Sequence, residues 1–335
     1  MAGKRVKESL FLVIVFVILG VILLAFPFIL PSTALATDIL IMGLFAMGFN
    51  FIFGHMGKIS FGHAMFFGLG SYTVGFLLIH FNMPPWAHLL SIPIGMLVGG
   101  AIAYVVGYVC LKKVGVYWLN PAYFALTTLA FAQMFYYIFF IPLEPWSGGY
   151  DGMWGIPSPI IGLGSFTIEL FGVNYYYFVL VIFAVCIFLI RKILGSPFGK
   201  MLHAIRENEE RALFLGYDAF KFKLYAFILS GLFGGLAGAL QAFRLGYCGT
   251  EDLHWALSGE VIFMPLLGGM RVFYGPLLGA FIYLFFKDFI VAYTAEWMLF
   301  VAVIVIVIVL FLPEGVGAPV GKLISRRLKW RYRDL

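Results

Sequence analysis

Apolar residues run in long blocks along this chain, separated by short segments that hold nearly all of its charge. A helix needs about 20 consecutive apolar residues to cross the hydrocarbon core of a bilayer. On that criterion the pattern predicts spans at 10–30, 37–54, 60–80, 86–111, 117–141, 174–190, 223–243, 256–270, 275–294 and 297–312. The expected fold class is therefore an all-α polytopic membrane protein, with residues 1–335 forming one transmembrane domain. Composition agrees. Only 11% of residues are charged and 63% are hydrophobic, whereas a soluble domain carries about 25% charged residues to keep its surface wet. Lys4, Arg5 and Lys7, the apolar run that follows and Ala34-Leu35-Ala36 imitate a secretion signal. The run from Leu10 to Leu30 is longer than the roughly 7–15 residues of a signal's apolar core, so it reads as a retained first helix.

Charge then orients the spans. An even number of crossings puts both termini on one side, and 20 of the 22 Lys and Arg fall in segments on that side, all but Arg244 and Lys287. Basic residues favour the cytoplasmic face. Lys58, the Lys112-Lys113 pair, residues 191–222 and the basic tail at 313–335 are accordingly expected in the cytoplasm. The net charge of +6 is no nucleic-acid signal, because it is scattered between spans and not gathered on a soluble face. Residues 142–173, PLEPWSGGYDGMWGIPSPIIGLGSFTIELFGV, hold acids but no Lys or Arg and form the longest outward segment. Their Gly and Pro content rules out a continuous helix. The segment is a connector or an ordered functional loop, and its length favours the second.

Glycine recurs inside the spans, notably at 231, 234, 235 and 238. In lipid, small residues let helix backbones approach closely, which predicts a tightly packed bundle. KISFGHAMF from Lys58 and RVFYGPLLG from Arg271 share a basic residue followed by an aromatic and Gly at the third and fourth positions. Both are expected to open helices running from inside to outside. The three cysteines, Cys110, Cys186 and Cys248, have no metal-ligand spacing and read as buried thiols.

Candidate chemistry is sparse. The six histidines make no HExxH motif, His55 and His63 straddle a Gly-rich break, and neither a GxSxG nor a phosphate-binding loop occurs. The chain is not expected to be an enzyme or to bind a metal. Polar groups near span depth are expensive and so mark function by default. Asn50, Ser60, His63, Gln133 and Glu260 are the candidates for lining a translocation path. Glu260 reads as a lone carboxylate that either faces water or bonds a neighbouring helix. Lys287 and Asp288 are adjacent and read as snorkelling near a helix end.

Residues 195–217, GSPFGKMLHAIRENEERALFLGY, interrupt the apolar chain with a helical pattern of their own. Phe198, Met201, Leu202, Ile205, Ala212 and Leu213 follow an amphipathic rhythm. Ser196-Pro197 supplies a start and Gly216 a stop. One amphipathic helix is predicted around Met201–Leu215. Its polar face carries Arg206, Glu207, Glu209, Glu210 and Arg211, a balanced mixture. A lipid-binding face would be rich in Lys and Arg, so the pattern favours a protein partner over headgroups, with a solvated connector as the alternative.

SPFGKMLHAIRENEERALFLGYDAFKFKLYAFILSGLFGGLAGAL (196–240) closely resembles the permease subunits of branched-chain amino-acid ABC importers, in particular the M-type member of the permease pair. ISFGHAMFFGLGSY (59–72), YFALTTLAFAQ (123–133), SGGYDGMWGIP (147–157) and LLGGMRVFYGPLLGA (266–280) extend the resemblance over most of the chain. Glu210, Ala212 and Gly216 match the E-x-A-x3-G core of importer coupling loops, without the Leu-Pro that often closes it. The resemblance implies a multi-pass permease of the bacterial inner membrane, both termini cytoplasmic, with broken or re-entrant helices. It implies a sister permease, two ATP-binding subunits and a periplasmic solute-binding protein as partners. ATP and Mg would be bound by the partner subunits and no cofactor by this chain. Met201, Leu202, Ile205, Arg206, Glu207, Glu209, Glu210, Arg211, Ala212 and Gly216 would form the ATPase-coupling segment, and Gly148, Gly149 and Asp151 would lie where the binding protein docks. Non-helical backbone is expected at Gly54–Gly62 and Gly268–Gly275. The YWLNP lead-in (117–121) and Arg271 depart from the family's usual pattern. The default cargo is branched-chain or related hydrophobic amino acids; urea, short amides or aromatic acids are alternatives served by the same machinery. A stand-alone secondary carrier is the competing class.

Overall fold

The structure is a computed structural model that describes residues 23–112, 121–163 and 166–319. The first part of the first span, the YWLNP residues before Pro121 and the basic tail from 320 onward lie outside the described residues. Residues 23–29 are helical. Then follow α1 (Thr33–Asn50), which runs on as a π-helix over Phe51–Met56, and α2 (Ala64–Gly75), which ends in a second π-helical turn at Phe76–His80. A 3-10 turn at Pro85–Leu90 leads into α3 (Ser91–Leu111), and α4 spans Pro121–Phe140. The 142–173 segment forms a short α5 (Glu144–Ser147) and strands β1 (Met153–Trp154), β2 (Ile160–Leu163) and β3 (Phe166–Glu169). Beyond it lie α6 (Val173–Gly195), α7 (Pro197–Glu207), α8 (Glu209–Phe214) and α9 (Ala219–Leu245). The chain closes with β4 (Tyr247–Cys248), a 3-10 turn at Thr250–Leu253, α10 (Trp255–Gly268), α11 (Gly275–Val291) and α12 (Trp297–Phe311).

Within the described residues each predicted span contains helix, and the ends move for local reasons. α9 starts earlier than expected because Asp218 caps it, accepting from the Lys221 N–H at 3.3 Å. α6 runs past Arg191 and Lys192, whose long stems let a helix continue beyond the hydrocarbon. α10 is a correction: its 14 residues reach about 21 Å, short of the roughly 30 Å hydrocarbon core. The chain reaches its start through the Thr250–Leu253 turn.

α1 is hydrophobic all round and is buried along nearly its whole length, which makes it the central helix. α9 lies against α1, α2 and α3, and α10 and α11 pair with each other beside α1. The glycines predicted to bring helices together do so. A Cβ on Gly99 would strike the Gly231 carbonyl, one on Gly235 the Gly95 carbonyl, and one on Gly238 the Phe67 carbonyl. Backbone thus touches backbone along α9, where dispersion is strongest and apolar burial gives no drive in lipid. α6 and α12 instead expose apolar side chains such as Val181, Phe188, Ile306 and Leu310.

Both predicted breaks are present, with their backbone groups closed inside the protein. Gly57 ends the π-helix with φ 73, and the Lys58 N–H donates to the Ile52 carbonyl at 3.1 Å. The Ser60 hydroxyl accepts from the Gly62 N–H at 3.3 Å, and the Ser258 hydroxyl of α10 accepts from the Ala64 N–H at 2.8 Å. The second break, between α10 and α11, meets the first: the Asn50 amide donates to the Met270 carbonyl at 3.1 Å. The two segments that echo one another in sequence each precede a helix start, at Ala64 and Gly275.

The intramembrane charges pair across helices. Glu260 takes the second of its two expected arrangements, a bond to a neighbouring helix, and its partner corrects the reading of Lys287: the Lys287 ammonium bonds both Glu260 oxygens, at 3.0 and 3.2 Å, joining α10 to α11. It also lies 4.6 Å from the Trp297 ring centre. Arg244 of α9 pairs with Asp38 of α1, which also accepts from Gln241 at 3.2 Å.

Two stability predictions follow from this packing. Gly238→Ala should cost about 1–3 kcal/mol and lower the thermal midpoint of the detergent-solubilised chain, whereas Gly259→Ala, with open space at its Cβ, should leave it unchanged or higher. Arg244→Leu should destabilise by roughly 3 kcal/mol because it strands a half-buried carboxylate between helices. Asp38→Leu combined with Arg244→Leu should recover part of that loss, and a double variant less stable than the single one would refute the account.

Candidate functional site

The amphipathic segment forms a bracket at the end of the bundle that carries Lys58 and Arg271. Ser196 caps α7, its hydroxyl accepting from the Phe198 N–H at 3.2 Å, and Pro197 fills the first turn, where no N–H is needed. The single helix predicted for Met201–Leu215 is corrected to two. Asn208 adopts φ −160 and ψ 105, and its side chain accepts from the Arg211 N–H at 2.8 Å, so it ends α7 and caps α8. Gly216 stops α8 with φ 87, as its position implies.

The ten residues proposed for coupling divide by direction. Leu202, Ile205 and Ala212 are buried against the bundle, the latter two packing with Ala219, Leu213 and Phe222. Met201 is half-buried. Glu207, Glu210, Arg211 and Gly216 are exposed. Glu209 turns inward and pairs with Lys223 at the base of α9, 2.6 Å away. Burial holds the nearby Lys58 ammonium below its ordinary value, the Lys223 charge adding to that effect and Glu209 opposing it. Hydrogen bonding from the Lys221 N–H holds the exposed Asp218 carboxyl below the usual carboxylate range.

Arg206 has a place of its own. Its guanidinium donates to the Gly54 carbonyl, in the π-helical turn that leads into the first helix break, and lies 3.8 Å from the Met270 sulfur, inside the second. Gly57 leaves room for it: a Cβ there would meet the Arg206 side chain. One side chain of α7 therefore holds both irregular segments of the bundle at once.

The path candidates do not share one surface. Asn50, Ser60 and His63 are buried. His63 lies between hydroxyls, 2.8 Å from Ser60 and 2.7 Å from Ser230, with the rings of Phe49, Phe66 and Phe227 around it. Gln133 and Glu260 keep partly exposed side chains. At the opposite end, Asp151 and Gly148 are exposed and Gly149 is buried, its carbonyl accepting from Thr250 at 3.3 Å. This loop is ordered by pairing Met153 with Cys248 and Trp154 with Tyr247, antiparallel, and by a β2–β3 hairpin. It presents Tyr150, Trp154 and Phe171 to the outside.

Two features escaped the sequence reading. Phe214 and Leu215 are 89% and 71% exposed at the tip of the bracket. Their signal was present: they stand between the inward Ala212 and the stop glycine, off the buried stripe. Asp252, beside α10, accepts from the Ser71 hydroxyl of α2 at 2.8 Å and brings a half-buried carboxylate to the middle of that helix. Only the fold of the 3-10 turn could place it there. Among the described residues no three His, Cys, Asp or Glu side chains converge on a metal position. The arrangement is suited to transmitting force: an exposed apolar tip, a rigid bracket and an arginine tied to two helix breaks.

Comparison with known proteins gives the context. A family profile described as "Branched-chain amino acid transport system / permease component" matches residues 32–310. The high-affinity branched-chain amino acid transport system permease protein LivM of Salmonella typhimurium is 27% identical over 93% of this chain and 76% of its own length, and LivM of Escherichia coli gives the same figures. The probable branched-chain amino acid transport permease protein LivH of Methanocaldococcus jannaschii is 27% identical over 76% of this chain and 78% of its own. No solved structure matches. With the match running from the start of α1 to the end of α12, and the bracket and paired breaks inside it, the chain belongs to the family of permease components of branched-chain amino acid transport systems.

Proposed function

We propose that this chain is one half of the membrane channel of an ATP-driven importer for branched-chain or related hydrophobic amino acids. In this reading the end with Lys58 and Arg271 faces the cytoplasm of a bacterium, and the β1–β4 end faces the periplasm. A sister permease completes the path, two ATP-binding subunits supply ATP and Mg chemistry, and a solute-binding protein delivers cargo near Gly148 and Asp151. The names of the LivM and LivH relatives support the cargo class.

The observation that carries the mechanism is the double attachment of Arg206. Phe214 and Leu215 offer an ATP-binding subunit a large exposed apolar contact, of the kind that dominates interface energetics. Glu210 and Arg211 beside them add charge of both signs for orientation. Movement of that subunit shifts α7 and α8 together, because Ile205 of α7 and Ala212 of α8 pack in one buried cluster. Arg206 then pulls on the Gly54 carbonyl and the Met270 segment together. Those segments are the points where α1–α2 and α10–α11 lack continuous helix, so they yield first. Gln133, Glu260 and Asp252 are the polar side chains left partly open for the path. An ion-coupled carrier fits less well, since Glu260 is already neutralised by Lys287.

The test separates docking from transmission. Phe214→Asp with Leu215→Asp should release the ATP-binding subunits in an affinity pull-down and reduce labelled leucine uptake at least tenfold, given that central apolar contacts are worth about 2 kcal/mol or more each. Arg206→Met should keep those subunits bound and still lose about tenfold in uptake, with ATP hydrolysis no longer responding to loaded binding protein. Uptake at the normal rate by either variant, at normal membrane levels, would sink this mechanism.

A further inference from the structure

Between α6, α7 and the α10–α11 turn lies a cleft of about 720 Å³. Its polar wall is Arg191, Lys200, Arg206 and Arg271 with His55 and His203, against one acid, Glu207. Four permanent cations facing one carboxylate leave a local excess of about three positive charges, drawn from three separate chain segments. That excess is not a solvated surface run, since the groups converge on a concave space. The walls are built. Arg191 stacks 5.8 Å from the Phe273 ring centre, Arg206 is fixed to the Gly54 carbonyl, and the His55 and His203 rings approach at 3.1 Å between nitrogens. Leu194 and Phe273 supply an apolar side.

The setting of the cleft narrows its ligand. Arg191 is the first charge beyond the exposed apolar face of α6, where Val181, Val185, Phe188 and Leu189 point outward. A group lying against that face with its polar end level with Arg191 has the dimensions of a phospholipid. Guanidinium forks match phosphate oxygens in a bidentate manner. Basic pockets between membrane helices are a recognised setting for anionic headgroups. We infer that this cleft is a phosphate-binding site, occupied by the phosphate of an anionic phospholipid headgroup or by free phosphate. Because Arg206 and Glu207 line it, an occupant sits directly against the bracket. The site therefore lets the charge of the surrounding membrane set how firmly α7 is held. The inference concerns binding by this chain and stands apart from the cargo and partners proposed above.

The test uses the full chain, purified in mild detergent and exchanged into phosphatidylcholine nanodiscs. Retained phosphatidylglycerol is counted by native mass spectrometry, and phosphate binding is followed by ³¹P line broadening. Wild-type protein should retain phosphatidylglycerol over phosphatidylcholine. Arg191→Gln with Arg271→Gln should weaken that retention at least tenfold, on the basis of about 1 kcal/mol per basic residue near a charged membrane surface. Lys221→Gln, on the same face but outside the cleft, should change nothing. Retention that inorganic phosphate does not displace assigns the site to lipid; phosphate broadening without lipid retention, lost in the double variant, assigns it to the free ion. Arg191→Lys with Arg271→Lys keeps the charge and should recover part of the binding, which distinguishes a site from a folding defect. Equal retention by wild type and a double variant that elutes and melts normally overturns the proposal. So does a double variant that sheds a protein partner while its bound lipid and phosphate are unchanged.

Discussion

A backbone that passes through lipid must close its hydrogen bonds inside the protein, because no water is there to accept them. Much of this fold follows from how that constraint is met where helices stop short. The break after α1 uses the Ile52 carbonyl and the Ser60 and Ser258 hydroxyls; the break after α10 uses Asn50. Polar residues that look like solute contacts in the sequence therefore serve the backbone. Ser230 and Ser60 hold the His63 ring between them, so even that imidazole is spoken for. Helix interruptions in a membrane protein draw polar groups toward themselves, and those groups need no further role to explain their presence.

The same constraint gives the bracket its leverage. Continuous helices resist bending because each turn is bonded to the next, whereas a break has fewer bonds to lose. Here the two breaks lie side by side, and one guanidinium from α7 bonds to the π-helical turn leading into the first and to Met270 within the second. The glycine seam along α9 has the opposite character. Backbone contact between α9, α2 and α3 leaves no slack, so this part moves as one piece. A stiff central seam beside two weak points is a geometry in which a small displacement at the membrane surface is delivered to a chosen place.

Charge is handled in two ways. Within the bundle, opposite charges meet in pairs, Asp38 with Arg244 and Glu260 with Lys287, each joining two helices. At the basic end the cations outnumber the acids around a cleft, and they remain near water and headgroups where an unbalanced charge is tolerated. The difference follows from solvation: a net charge is costly in hydrocarbon and cheap at the interface.

Local sequence determined a good deal of this protein. Hydrophobic run length located the spans, since a helix in lipid needs only to be apolar and long enough. Ser196-Pro197, Gly216 and the glycines of the 54–62 and 268–275 segments marked the ends and breaks, since capping and positive φ are properties of single residues. The family motif singled out residues 196–216. What only the tertiary structure decided was which way side chains face and whom they meet. Leu202 and Phe214 are both apolar residues of one amphipathic segment, yet one is buried and the other is 89% exposed, because Asn208 turns the second helix away from the first. Glu260 looked alone because its partner lies 27 residues away on the next helix. Arg206 read as one charge among five, and its importance rests on two breaks that are 152 and 64 residues distant in the chain. Periodicity reports the neighbours a residue has along its own helix; contacts between helices depend on packing, and no local pattern encodes them.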